Sequence, residues 1–393
     1  MVALVSASVL TPVRAQEFTT AVTDRVEPEV ESVPTLSGSG LRRGGLELGV
    51  VVAVAYDDNI FLSKKDPESD TIIRLGPAIA YTQGDIEEGE GGFVRFAYRP
   101  TAVSYVKNST ENRIDHEAAI SAGWRGKASK ITYTGAVRKL GDATADTGRP
   151  TDRLESENEI RAGWITREKV TLEVAAGNNQ SQYNDPTFFD SNDSYAEVAV
   201  RYAYSPKTEV ALAYQAGRYK VDGAGNQTTR QITAGLDWQP SEKIRVNVAA
   251  GAERRQTDAG TEVNPVFEGR LEWVPREGSA LFITGYQKEE ASAYFAGQNY
   301  NVKGATAGIS QRLGEKWTAR LEGGFEKATY SRVAGTGGSG RKDKIWFVRP
   351  AFVYQITDEF DVSLFYRVSD NSSTSADFGY DQQMAGVEMN FQF

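Results

Sequence analysis

Residues 205–218 read SPKTEVALAYQAGR, and this stretch decides the fold. The polar turn SPKT is followed by strict alternation. Val210, Leu212 and Tyr214 share one parity, and Glu209, Ala211, Ala213 and Gln215 share the other. Successive side chains of a strand point to opposite faces, so this period of two predicts a strand with one apolar and one polar or small face. The pattern recurs in both directions. In EKVTLEVAA, residues 168–176, Val170, Leu172 and Val174 oppose Thr171, Glu173 and Ala175. In MAGVEMNFQF, residues 384–393, Ala385, Val387, Met389, Phe391 and Phe393 oppose Met384, Gly386, Glu388, Asn390 and Gln392. Eighteen such segments run from residue 45 to the C-terminus. Roughly 19 residues per strand and connection suit bilayer-spanning strands of ~9–11 residues with overhang at one end.

The connections alternate in length. RGKAS, TREK, SPKT, QPSEK, VPREGS, RLGEK and ITDE are tight polar turns, and QGDIEEGEGG is a longer member of that side. Between them lie DDNIFLSKKDPESD, KLGDATADTGRPTD, NNQSQYNDPTFFDSND, KEEASAYFAGQN, VAGTGGSGRKDK and SDNSSTSADFGYD. Short turns at one end and long loops at the other describe an outer-membrane barrel, with periplasmic turns and extracellular loops. The expected fold is therefore all-β: a single transmembrane antiparallel up-and-down β-barrel of about 18 strands over residues 45–393.

Aromatic residues give the same polarity. Trp124, Trp164, Trp238 and Trp273 stand just before short turns, and Trp317 just after one. A ring with one polar edge is stable at a membrane interface, so these five are expected to form a periplasmic aromatic girdle. The terminal Phe391 and Phe393 resemble the assembly signal read by the barrel-insertion machinery, an expected partner along with outer-membrane lipid.

Composition narrows the function. The chain has 393 residues, a net charge of −9, one His and no Cys. No run of 18 apolar residues exists, which excludes spanning helices. The lack of Cys removes disulfide frameworks and thiolate metal sites. The acidic balance argues against nucleic acid. The one histidine, His116, alternates with Ile114, Ala118, Ile120, Ala122 and Trp124, so it falls on the lipid-facing set, where an interfacial role outweighs a catalytic one. No G-x-S-x-G pattern is present. No enzyme activity, metal or other cofactor is expected.

If the apolar face meets lipid, the opposite face lines the lumen. Arg138, Arg161, Glu173, Arg201, Glu209, Glu268, Arg270, Glu272, Arg320, Glu322, Arg367 and Glu388 are the channel-lining candidates. Both signs are present, so no simple ion filter is indicated. Small residues such as Ala175, Gly177, Ala211, Ala213, Gly235 and Gly251 leave room among them. Apolar loop residues can constrict a lumen or meet a partner. Tyr183, Phe188 and Phe189 in 181–193, and Tyr294 and Phe295 in 288–298, are candidates for that role; a loop packed on its own rim is the alternative.

Residues 1–15, MVALVSASVLTPVRA, carry a short apolar run and end in Val-Arg-Ala, as a secretory signal peptide cleaved after Ala15 would, although its basic n-region is missing. Residues 16–44 are rich in Glu, Thr, Ser, Pro and Gly without apolar period and read as a flexible periplasmic segment. Those 29 residues are too few for the plug domain of a 22-stranded nutrient receptor. Both termini are expected in the periplasm.

The first hairpin, VAYDDNIFLSKKDPESDTIIRLGPAIAYT at 54–82, resembles the opening of the β-barrel porin 2 family of outer-membrane proteins, in Tyr56, Asp57, Asp58, Asn59, Ile60, Phe61, Asp70 and Pro77. The regular hairpins and terminal Phe resemble that family less specifically. Its members often lie in exopolysaccharide or capsule gene clusters of Proteobacteria. The resemblance implies export of a secreted polysaccharide, with a periplasmic polysaccharide export protein as partner. A passive or substrate-selective porin for small solutes is the alternative, and a structural or adhesive barrel with a blocked lumen is a third class.

Overall fold

The computed structural model describes residues 45–84, 90–258, 260–294, 298–331 and 340–393. The expected signal peptide and the segment 16–44 lie outside the described residues. The strands are β1 (Gly45–Asp57), β2 (Asp70–Gln83), β3 (Gly91–Tyr105), β4 (Arg113–Arg125), β5 (Ser129–Leu140), β6 (Arg153–Arg167), β7 (Val170–Tyr183), β8 (Ser191–Ser205) and β9 (Thr208–Val221). They continue as β10 (Gln227–Ser241), β11 (Ile244–Thr257), β12 (Gly260–Arg276), β13 (Ser279–Ala291), β14 (Asn299–Leu313), β15 (Trp317–Tyr330), β16 (Lys342–Gln355), β17 (Phe360–Ser373) and β18 (Tyr380–Gln392). Each pairs antiparallel with its neighbours in sequence, and β1 pairs with both β2 and β18. The sheet is therefore a closed 18-stranded up-and-down barrel with no free edge.

Alternation fixes what faces out. On β9, Val210, Leu212 and Tyr214 are exposed, as are Ile160 and Trp164 on β6 and Leu321 and Phe325 on β15. A continuous exposed apolar wall of this kind belongs against lipid. The five tryptophans at the turn end, Trp124, Trp164, Trp238, Trp273 and Trp317, are all exposed on that wall. His116 is on the same wall, half-buried, with Nδ1 2.9 Å from the Tyr98 hydroxyl.

Besides the longer β2–β3 connection at the turn end, the length alternation is broken once at the long-loop end. β11 and β12 are joined by two residues at the long-loop end, with Thr257 paired to Gly260. That hairpin is as tight as the turns opposite.

The residues that carry the family resemblance build the seam where β1 meets β18. Asp57 accepts hydrogen bonds from the Asn59 amide (2.9 Å) and Gln382 Nε2 (2.8 Å). Asn59 Nδ2 donates to the carbonyls of Ser63 and Asp381, both at 2.8 Å. Ile60 packs with Ile72, Val103 and Tyr105. Buried Asp70 accepts from the amides of Val106, Lys107 and Asn108 and so fastens the β3–β4 connection. Tyr56 is exposed on the wall, and Pro77 sits opposite Val50 in the β1–β2 ladder.

Candidate functional site

The β5–β6 connection, residues 141–152, does not project from the rim. Its stretch 141–147, GDATADT, is buried throughout. Small side chains let the segment fold on itself. The Thr144 and Thr147 hydroxyls lie 2.9 Å apart, each accepting the other residue's amide, and the Gly148 amide closes the turn on Thr144 O at 2.8 Å. Gly148 has φ +66°, a conformation glycine adopts without strain. Arg153 Nη1 ties the base of the loop to Asp142, at 2.8 Å from its carboxylate.

The tip is fastened far from its origin. Asp146 accepts hydrogen bonds from Ser292 Oγ (3.1 Å), the Ala293 amide (2.7 Å) and Tyr330 Oη (3.0 Å). Arg341 donates to the carbonyls of Ala145 and Asp146 while its Nε is held by Asp343 at 2.7 Å. The Arg341 guanidinium also lies over the rings of Tyr330 and Phe378. These partners sit at the loop ends of β13 to β16. β5 and β14 are nine strands apart in a ring of eighteen (14 − 5 = 9), half the circumference. The loop is thus a strap across the lumen. Leu62 of the β1–β2 connection and Tyr380 of β18 clasp Ala143 from the side. Burial raises the Asp146 carboxyl above the ordinary carboxylate range, against the pull of Arg341 and the three donors.

The aromatic loops, candidates for a constriction, a partner contact or packing on their own rim, brace the strap. The Phe189 amide donates to Ala293 O at 2.9 Å. Phe188, Tyr294 and Phe378 form a chain of ring contacts, with centroids 6.2 and 5.1 Å apart. Arg149 of the strap lies over Phe188 and pairs with Asp185 at 2.7 Å. Phe295 lies outside the described residues.

The charged candidates share the parity opposite the lipid wall. Arg161 contacts Glu159 (3.0 Å), Glu173 (3.4 Å) and Glu197 (2.9 Å). Arg201 bridges Glu173 (2.7 Å) and Glu209 (3.1 Å). Arg138 meets Glu155 and Glu157. These form one ladder along β5 to β9. Arg270 and Glu272 pair at 2.6 Å on β12, where Glu268 shares their parity. Arg320 and Glu322 are on β15, Arg367 lies over Phe347, and Glu388 accepts from Asn390 on β18. The strap's anchors, Asp146, Ser292, Tyr330 and Arg341, are not among these candidates. A sequence search for bulky loop residues passes over GDATADT. Yet a run of small residues around two carboxylates, each given buried partners, is what a loop packed inside a barrel requires.

Residues 231–393 match the family model described as putative beta-barrel porin 2. Over those residues the chain is similar to that family, and its fold is a closed 18-stranded barrel. No curated protein matches it. Among solved structures it is similar to OpdQ of Pseudomonas aeruginosa, at 11% identity over 90% of this chain and 99% of that one, with a TM-score of 0.48. It is also similar to OccAB3 of Acinetobacter baumannii, at 10% identity over 89% and 99% of the two chains, with a TM-score of 0.48. For the siderophore receptor PirA of P. aeruginosa the identity is 8% over 88% and 80%, with a TM-score of 0.43.

Proposed function

We propose that the barrel is a constricted passage for small polar solutes across the outer membrane. The strap carries this reading. A segment fixed to opposite walls divides the lumen and leaves room for small molecules rather than a wide polymer. The charged ladder from β5 to β9 and the other inward candidates line the passage. The long-loop end faces the exterior, the termini and tryptophan girdle face the periplasm, and Phe391 and Phe393 engage the assembly machinery. Residues 1–15 direct secretion, and 16–44 remain in the periplasm.

Export of a polysaccharide is the second reading, favoured by the resemblance of the 56–61 hairpin to proteins of polysaccharide gene clusters. Polymer sieving in a planar bilayer separates the two. Wild-type barrel should exclude polyethylene glycols above small-solute size, and deletion of residues 143–148 should raise both conductance and the exclusion limit. If the wild type already admits polymers of about 2 kDa or more, wider than an ordinary ligand site, the constricted reading fails. Loss of surface polysaccharide on gene deletion, with normal small-solute uptake, would then establish export.

A further inference from the structure

Three lysines stand side by side on the outer wall. Lys303 of β14 is directly opposite Lys327 of β15, which is directly opposite Lys344 of β16. They share the parity of the exposed residues Ile309, Phe325 and Trp346 on their own strands, so they project from the lipid-facing side. Lys303 and Lys344 are exposed and Lys327 is half-buried. Directly opposed side chains in an antiparallel pair start about 5 Å apart, and like charges there destabilise the sheet. Among the described residues, no carboxylate forms an ion pair with any of the three.

The height of this rung is informative. Lys327 is ten residues along β15 from Trp317, and Lys344 is ten along β16 from Tyr354. Trp317 and Tyr354 are cross-strand neighbours at the turn end, with ring centroids 4.6 Å apart. Ten residues at about 3.4 Å each and a tilt of about 40° rise roughly 26 Å, close to the ~25 Å apolar band of an outer-membrane barrel. The lysines therefore mark the far edge of the band, at headgroup depth. Immediately below them Phe325 and Trp346 pair across β15 and β16, both exposed. The pattern repeats on β10 and β11, where exposed Arg230 is directly opposite exposed Arg254, with Ile232 below.

We propose that Lys303, Lys327 and Lys344 form a binding site for a phosphorylated lipid in the leaflet at the long-loop end. The phosphate supplies the counter-charge that the rung lacks. The acyl chains lie down the wall over Phe325 and Trp346. A lone inorganic anion would gain the charge contact but leave the aromatic pair below uncovered. The site does not depend on what passes through the lumen; only which leaflet it occupies rests on the orientation proposed above.

Native mass spectrometry of the detergent-solubilised full barrel tests this. The probes are a bisphosphorylated acylated disaccharide lipid, its dephosphorylated form, and inorganic phosphate. Wild type should retain the phosphorylated lipid at least tenfold more tightly than the K303Q/K327Q/K344Q variant. The K303R/K327R/K344R variant should keep the affinity, and the dephosphorylated lipid should bind weakly to all three. Heat-modifiable gel migration verifies that each variant is folded. Equal affinity of wild type and the glutamine variant overturns the proposal. So does equal retention of the dephosphorylated lipid, or displacement of the lipid by millimolar phosphate, which would mark a simple anion site.

Discussion

Asp146 is the residue on which the strap's position turns. It gives three donors from two distant elements their acceptor in a buried setting. A buried donor left unsatisfied costs about 1–3 kcal/mol. Asp146→Ala should therefore release the tip. Single-channel records of this variant should show larger mean conductance and frequent fluctuation, whereas a quiet trace at the wild-type level would refute the latch. Acidity should act through the same group. Burial raises the docked carboxyl above its ordinary range, while the undocked carboxyl returns to it. Docking thus takes up protons. Its contribution is fully present below the ordinary carboxylate pKa and is lost as pH rises through the raised value. Strap fluctuations should increase with pH in the wild type, against a background set by Arg341, Asp343 and Tyr330, and that dependence should vanish in Asp146→Asn. None of this was legible in the sequence. One Asp in a polar loop carries no sign of its partners, which come from residues 146 to 195 positions away.

At the scale of the element, legibility was high. The eighteen alternating segments correspond to eighteen strands, because a period of two with turn residues between is a direct consequence of a wall with two unlike faces. Loops have no such periodicity. Hence the strap, the tight β11–β12 hairpin and the seam contacts of Asn59 emerged only from the structure. Close strand approach is equally hidden. A Cβ on Gly251 of β11 would lie 1.9 Å from the Ile232 carbonyl oxygen and 2.8 Å from Thr233 Cα, both backbone atoms of β10. Backbone in a hydrogen-bonded ladder cannot yield without breaking the register. Gly251→Val should therefore abolish the compact, heat-modifiable form on gels. Gly45→Val, where a Cβ meets nothing within 4 Å, should fold normally. If both variants fold alike, the β10–β11 approach is looser than described.

At the scale of the molecule, paired charges need not cancel. Sequence alternation placed both signs on the inner face but could not tell which charges share partners. On β5 to β9 the guanidinium groups of Arg138, Arg161 and Arg201 are surrounded by six carboxylates, those of Glu155, Glu157, Glu159, Glu173, Glu197 and Glu209. Arg153 of β6, paired with Glu155 at 2.7 Å, adds a fourth positive charge, and four positive against six negative leave this ladder at −2. In a lumen with low-dielectric walls such an excess concentrates counter-ions instead of being averaged away. The passage should therefore prefer cations. Reversal potentials across a potassium chloride gradient should give a cation-over-anion permeability ratio above one, of about two to five if the wall field is moderate. The ratio should fall toward one in molar salt, where the Debye length shrinks to about 3 Å. Replacing Glu157 and Glu209 with Gln removes two carboxylates. It leaves Arg161 its three partners, Arg201 its contact with Glu173, and Arg138 and Arg153 their contacts with Glu155, so the ladder keeps its frame while its charge becomes neutral. That variant should lose most of the preference with little change in conductance. Anion preference in the wild type would mean that other walls, not this ladder, set the field.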